Sequence, residues 1–174
     1  NILQWLSGIA TLTHNYVQKV APVKVLDTRK TTPGLRVFEK YAVACGGAIN
    51  HRFGLYDQVL IKDNHIETAG GISNAVNLVR ENVSEDKKIE VEVQSIEEVK
   101  EALENHADII MLDNMSLDMM HQCIKMIDGK AKTEISGGVT FERLEEISTS
   151  GADFVSVGAL THSAPAVDIS MNIN

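Results

Sequence analysis

An α/β fold built as an incomplete (β/α) barrel is the architecture this sequence predicts, and three observations lead to it. Short β-branched runs alternate with amphipathic stretches along the chain, the order that gives a parallel sheet by right-handed crossovers. The GxGxxG fingerprint is absent, which weakens the doubly wound alternative. The run IEVEV sets Val91 and Val93 on one face and Glu90 and Glu92 on the other. A strand covered on both sides in an open sheet is apolar throughout; a barrel strand turns valines out to its helices and acids inward. Six strand signals are fewer than the eight of a closed barrel, which takes about 250 residues. The barrel is therefore expected to be open.

The elements follow in order. Ile2, Trp5, Leu6, Ile9, Leu12, Tyr16 and Val20 recur near helical spacing, so the chain begins inside an amphipathic helix. A strand is expected over 23–27 and a helix over 36–45. The next strand covers 58–62 and the next helix 73–83. The acidic-and-valine strand at 89–93 leads to a helix over 95–105, where Ser95 and Glu98 make a capping box. A strand at 108–113 precedes a helix over 116–128. A strand at 133–136 precedes a helix over 141–150, with Thr140 as N-cap and Gly151 at its end. The last strand spans 154–158.

With 174 residues, 44% of them hydrophobic, the chain can bury one substantial core, and residues 1–174 read as one barrel domain. The net charge of -8 argues against nucleic acid as a partner. That charge is uneven: through His65 there are eight Lys and Arg against four Asp and Glu, and after it eight against twenty. Glu97, Glu98, Glu101 and Glu104 are the solvated face of a helix. Two cysteines without CxxC spacing suggest neither a disulfide framework nor zinc. No membrane span or signal peptide is read, and a cytoplasmic location follows by default. The chain opens without methionine, as a segment of a longer protein does.

The C-terminal ends of barrel strands form the active face. Here those ends deliver residues 27–30 and 62–64, Glu92, Asp113, residues 136–138, and Gly158 with Ala159, nearly all polar or glycine. The segment 27–66 concentrates Arg29, Lys30, Arg52 and Lys62, with His51 beside them. Guanidinium forks bind carboxylates and phosphates bidentately, so a small polyanion is the expected guest. The strand ends EISGGVT and VSVGALT carry glycines that let backbone amides approach phosphate oxygens. The helix after Thr140 would add its N-terminal dipole. Glu92 and Asp113, on separate strands, either share a Mg²⁺ ion that keeps waters and takes substrate oxygens, or hydrogen-bond sugar hydroxyls directly. Glu90 lies one pleat deeper and is expected to be paired inside the barrel. Lys62 has a second reading as a Schiff-base lysine, but Arg29, Lys30 and Arg52 share its mouth and Asp63 adjoins it. Anion binding is the simpler role. His14, His106, His121 and His162 carry no ligand spacing and read as surface or structural, while His65 stands near the site. Met111, Met115, Met119, Met120 and Met126 read as core filler.

The motifs DTRKTTPG, GGAINHRFGLYD, IKDNH, EVEV, LDN, SGG and SVGALTHS, in this order along the chain, resemble those of quinolinate phosphoribosyltransferase. The resemblance implies an open, TIM-like α/β barrel of six or seven strands. It implies a Mg²⁺-dependent transfer from phosphoribosyl pyrophosphate to quinolinate, giving nicotinate mononucleotide, pyrophosphate and CO₂ in NAD synthesis. Carried over by motif, Arg29, His51, Arg52 and Lys62 would clamp the quinolinate carboxylates, and Lys30 would lie between the two substrates beside Thr28. Glu92 and Asp113 would face ribose and metal. Ser136, Gly137 and Gly138, with Val157, Gly158 and Ala159, would hold the 5′-phosphate. The family also implies a homodimer, in which an N-terminal α/β domain, not included in these residues, covers the partner's barrel and adds an arginine to its site. A polypeptide limited to residues 1–174 is expected to bind phosphate ligands with little turnover. The remaining alternatives are a molybdenum-transport-associated homologue with another acceptor, a Lys62 lyase and a non-catalytic phosphoribosyl-binding module.

Overall fold

A computed structural model describes residues 1–173. Its elements run α1 (Ile2–Val20), β1 (Lys24–Leu26), α2 (Arg36–Cys45), β2 (Val59–Ile61), α3 (Asp63–Ala69), α4 (Ile72–Asn82) and β3 (Ile89–Val93). They continue with α5 (Ile96–Glu104), β4 (Ile109–Asp113), α6 (Leu117–Ile127), β5 (Lys132–Ser136), α7 (Leu144–Ser148), β6 (Phe154–Ser156) and α8 (Ala159–His162). All strand pairs are parallel, in the order β1-β6-β5-β4-β3-β2. Beyond β1, Leu26 makes one further parallel bridge to Ile49, a vestigial seventh strand. No ladder joins β1 to β2 among the described residues, so the expected open barrel is what forms.

Alternation along the strands sorts the side chains. Val91, Val93, Ile110, Leu112, Ile135 and Val155 are fully buried in the apolar core that the helices share. Burial of each such side chain stabilises the fold by about 1.5–3 kcal/mol. The intervening positions Glu92, Met111, Glu134 and Ser156 line a cavity at the strands' C-terminal end. IEVEV is buried at all five positions, yet its two faces meet different surroundings. α1 packs on α2, α7 and β1. A Cβ at Gly8 would lie 1.9 Å from the Pro165 carbonyl oxygen, so glycine lets the C-terminal segment cross α1 closely. No helix among the described residues is long and apolar enough to cross a membrane.

Three local expectations are corrected. The IKDNH strand end runs directly into α3, which lacks a buried apolar stripe and so leaves no periodic trace. The helix expected over 141–150 is reduced to α7, with Arg143 rather than Thr140 at its N-cap. Thr140 instead closes a turn, its carbonyl accepting from Arg143 N–H at 3.2 Å. Five helical residues carry little dipole, which weakens that part of the phosphate argument. At α5, Ser95 Oγ accepts from Glu98 N–H as expected; Glu98 Oε2 reaches back to Gln94 N–H rather than to Ser95.

Candidate active site

A cavity of about 800 Å³ opens at the C-terminal ends of the strands, a size suited to one or two small ligands. The residues that the sequence assigns to substrate and metal line it, namely Thr28, Arg29, Lys30, His51, Arg52, Lys62, Glu92, Asp113, residues 136–138 and residues 157–159, while Asp27, Asp63, Asn64 and His65 lie outside its lining. Leu60, Met111, Asn114, Glu134, Val139, Thr140, Ser156 and His162 complete the wall and floor.

On one side stand the cations, and buried partners set their positions. At the end of β1, Asp27 is fully buried; its Oδ1 accepts from Lys40 Nζ at 2.5 Å and from His51 N–H at 2.7 Å. Lys40 also donates to the His51 carbonyl at 2.9 Å. Burial raises the Asp27 carboxyl above its ordinary range even against the Lys40 contact. Arg36 ties two loops together, donating to Thr31 Oγ1, the Phe53 carbonyl and the Arg29 carbonyl. Glu39, buried on α2, accepts from Thr32 N–H and from Trp5 Nε1–H. These contacts hold the 28–32 loop against the 51–57 loop. Arg29 keeps its buried Nε without a hydrogen-bond partner, a donor available to a guest. Arg52 is 9% exposed and donates to the Gln58 carbonyl at 3.3 Å. Lys62 forms an ion pair with Glu92, so this cation meets an internal acid before any ligand arrives.

On the other side the polar groups belong to the backbone. Gly137 and Gly138 have φ of 83° and 57°, conformations that cost other residues energy. A Cβ at Gly137 would lie 2.3 Å from Asn114 Oδ1. Across from them, a Cβ at Gly158 would lie 3.1 Å from His162 Nε2 and 3.4 Å from Lys30 Cδ. Lys30 therefore crosses toward β6, and Thr161 Oγ1 donates to its carbonyl at 2.8 Å. His162, set aside as structural from the sequence, lines the cavity. Its placement one turn beyond Gly158, at the end of α8, was the signal available.

Between the two sides lie the acids. Asp113 Oδ2 accepts from Asn114 Nδ2 at 2.8 Å, leaving its other oxygen uncommitted. Deeper, Glu90 Oε2 accepts from Gln58 Nε2 at 2.8 Å and faces His51 Nε2 at 3.2 Å. Glu134 Oε1 lies 3.6 Å from the same nitrogen. Burial pushes the Glu90 carboxyl up to about 7 against the pull of Glu134, Arg52 and Lys62. Burial, and then the Glu90 charge, pushes Glu134 up to about 8. Burial lowers the His51 pKa from 6.5, with Glu134 opposing and Arg52 and Lys40 adding to the fall. At neutral pH the imidazole is uncharged. His51, to which the resemblance gives a carboxylate-clamping role, lines the cavity; its Nδ1 accepts from Arg52 N–H, and its Nε2 lies near the internal acids. Cysteines play no part: Cys45 is exposed and Cys123 is buried near Met115.

The family model for the quinolinate phosphoribosyl transferase C-terminal domain matches residues 9–172. A probable carboxylating nicotinate-nucleotide pyrophosphorylase of Synechocystis sp. is 49% identical over 178 residues, covering 99% of this chain and 60% of that protein. A counterpart of the same name in Bacillus subtilis is 46% identical over 175 residues, covering 99% of this chain and 61% of that protein. The crystal structure of NadC from Streptococcus pyogenes superposes with a TM-score of 0.96 at 46% identity, covering 99% of this chain and 61% of that one. The chain thus spans about three fifths of the length of the curated relatives it matches.

Proposed function

The chain belongs to the quinolinate phosphoribosyl transferase family, and from that premise we propose that it carries the barrel of an enzyme joining quinolinate to phosphoribosyl pyrophosphate with loss of CO₂. One observation carries the reading: a single cavity has fixed cations on one wall and glycine backbone amides on the other. A planar dicarboxylate and a sugar phosphate need those two kinds of wall, adjacent to each other.

In this reading Arg29, Arg52 and Lys62 hold the two acceptor carboxylates, and Thr28 supports the Arg29–Lys30 turn through Oγ1, which accepts from Lys30 N–H at 3.1 Å. Lys30, leaning toward Gly158, serves the pyrophosphate side. Ser136, Gly137 and Gly138, with Val157, Gly158 and Ala159, hold the 5′-phosphate. The acceptor nitrogen then attacks the ribose carbon as pyrophosphate departs through an oxocarbenium-like centre. The resulting pyridinium takes up the electron pair when the adjacent carboxylate leaves as CO₂, and that carbon gains a proton. The chain supplies orientation and charge, with no nucleophilic side chain. Lys62, paired with Glu92 and partly exposed, lacks the dry apolar setting of a Schiff-base lysine.

Mg²⁺ is part of the proposal. Glu92 and Asp113 offer hard carboxylate oxygens but, among the described residues, no third His, Cys or acidic ligand beside them, a donor set suited to a hydrated ion shared with substrate oxygens. The ion would neutralise developing pyrophosphate charge. A homodimer is proposed as well. Val37, Phe38 and Tyr41 on α2, with Leu55 and Tyr56 of the adjoining loop, are each more than half exposed, an apolar surface fit for a second subunit. A cytoplasmic location accords with the free cysteines. The direct test uses the full-length protein: CO₂ release from carboxyl-labelled quinolinate that requires phosphoribosyl pyrophosphate and Mg²⁺. Absence of release with both co-substrates bound would overturn the assignment.

A further inference from the structure

Beneath the cationic wall lies a cluster that the reaction outlined above does not use. Glu90 on β3 and Glu134 on β5 are 0% and 1% exposed, and Oε1 of each has no hydrogen-bond partner. The His51 ring reaches between them, with Nε2 at 3.2 Å from Glu90 Oε2 and 3.6 Å from Glu134 Oε1. Its other nitrogen, Nδ1, accepts the Arg52 backbone N–H at 2.7 Å. A nitrogen that accepts carries no hydrogen, so in the neutral ring the hydrogen sits on Nε2, on the side of the two buried carboxyl groups. Gln58 makes a second link. Its Nε2 donates to Glu90 Oε2 at 2.8 Å, and its carbonyl accepts from Arg52 Nη1 at 3.3 Å. Both contacts that set Arg52 therefore trace back to the buried acids.

We propose that Glu90 and Glu134 are positioning residues for the acceptor subsite: they hold His51 as the Nε2–H tautomer turned into the barrel, and through His51 and Gln58 they fix Arg52. This rests on the reading that Arg52 meets an aromatic dicarboxylate. Without an inward acceptor, the Nε2–H group would be buried unpaired, and the ring would turn toward the mouth. Nδ1 would then leave the Arg52 N–H, and the guanidinium would lose its fixed approach. The three donors lie within 4.8 Å of one another, a spacing that also suits a cation. A cation on Nε2 would require the hydrogen to leave that nitrogen and so would break the Nδ1 contact with Arg52.

The test uses the full-length protein labelled with ¹⁵N-histidine. In the unsubstituted protein the His51 ring should show a protonated Nε2 and an acceptor-type Nδ1. The double variant Glu90→Leu/Glu134→Leu, which removes both inward acceptors, should mix the two tautomers and weaken quinolinate binding about tenfold, with phosphoribosyl pyrophosphate affinity unchanged. Glu90→Gln/Glu134→Gln, which keeps the acceptor oxygens, should restore most of both. The proposal is overturned by an Nδ1–H ring in the unsubstituted protein, by stoichiometric metal on the cluster, by a Glu90→Leu/Glu134→Leu protein with normal tautomer and acceptor affinity, or by equal loss of both ligands. The ring measurement contains no substrate. An unsubstituted protein that shows the Nε2–H ring yet fails to bind quinolinate therefore sinks the functional reading, not the His51 arrangement.

Discussion

On the β1–β2 wall of the cavity, ligand-facing charge sits on long side chains that other side chains must aim; on the β5–β6 wall, it sits on amides that φ angles aim. Arg52 depends on His51, Gln58 and the acids behind them, and the loops carrying Arg29 and His51 depend on Arg36, Lys40 and Asp27. Gly137 and Gly138 need only their positive φ and the packing of Asn114. The first wall is a network with many members and few spare contacts. The second is local turn chemistry. Damage should therefore spread on the first and stay confined on the second.

The largest effect expected is on the first wall. Arg52→Ala removes a nearly buried guanidinium, and a charged hydrogen bond in such a site is worth about 1.5–3 kcal/mol. Quinolinate affinity should fall about 100-fold by calorimetry, while phosphoribosyl pyrophosphate binds as before. Equal loss of both ligands would erase the distinction between the walls.

Next comes Gly137→Ala. The added methyl meets a φ of 83° and an Asn114 oxygen at 2.3 Å. Left-handed backbone costs about 1–2 kcal/mol for a residue with a Cβ, and the collision adds to it. Phosphoribosyl pyrophosphate affinity should drop about 30-fold with quinolinate affinity kept. A variant that loses quinolinate instead would mean that the walls have been assigned in reverse.

The same contrast explains what the sequence made legible. All six strands, the inward acids of IEVEV and both glycine clusters were readable, because period-two alternation and Gly placement are local signals. The supports of the first wall were not. Nothing in the sequence marks Arg36, Glu39 and Lys40 on α2 as supports, yet Glu39 and Lys40 are buried. Their partners are five to thirty-four residues away in sequence, joined by loop geometry that no periodicity records. α3 escaped notice for a related reason: its start is set by Lys62 N–H donating to His65 Nδ1, not by a Ser or Asp cap.

A smaller effect comes from pH. Glu134 is raised in the fold from 4.5 to about 8, so the folded state holds a proton that the unfolded chain releases. Its contribution is complete below about pH 4.5 and is lost as pH rises through about 8. Glu90, raised to about 7, acts with the same sign. His51, lowered from 6.5, acts oppositely, but only below that value. Above pH 6.5 the acids act without that opposition, and stability should fall by on the order of 1 kcal/mol toward pH 8.5. Thermal unfolding across that range should show Tm declining, and Glu134→Gln should flatten the slope. A rising Tm would mean that both acids are already ionised in the fold.

The smallest effect tests where the two walls meet. Lys62 is 43% exposed and its partner Glu92 is 10% exposed. Solvent screens such a pair, so its coupling should be no more than about 0.5 kcal/mol in a double-mutant unfolding cycle of Lys62→Met and Glu92→Gln. Activity should respond quite differently, because in the proposed reading Lys62 serves the acceptor and Glu92 the ribose and metal. Each single variant should lower turnover at least tenfold while leaving Tm within about a degree. The pair is then a contact that substrates replace and not a strut of the barrel. A coupling of several kcal/mol would make it a structural member of the first wall, and a ligand reaching Lys62 would have to displace Glu92 at the same cost.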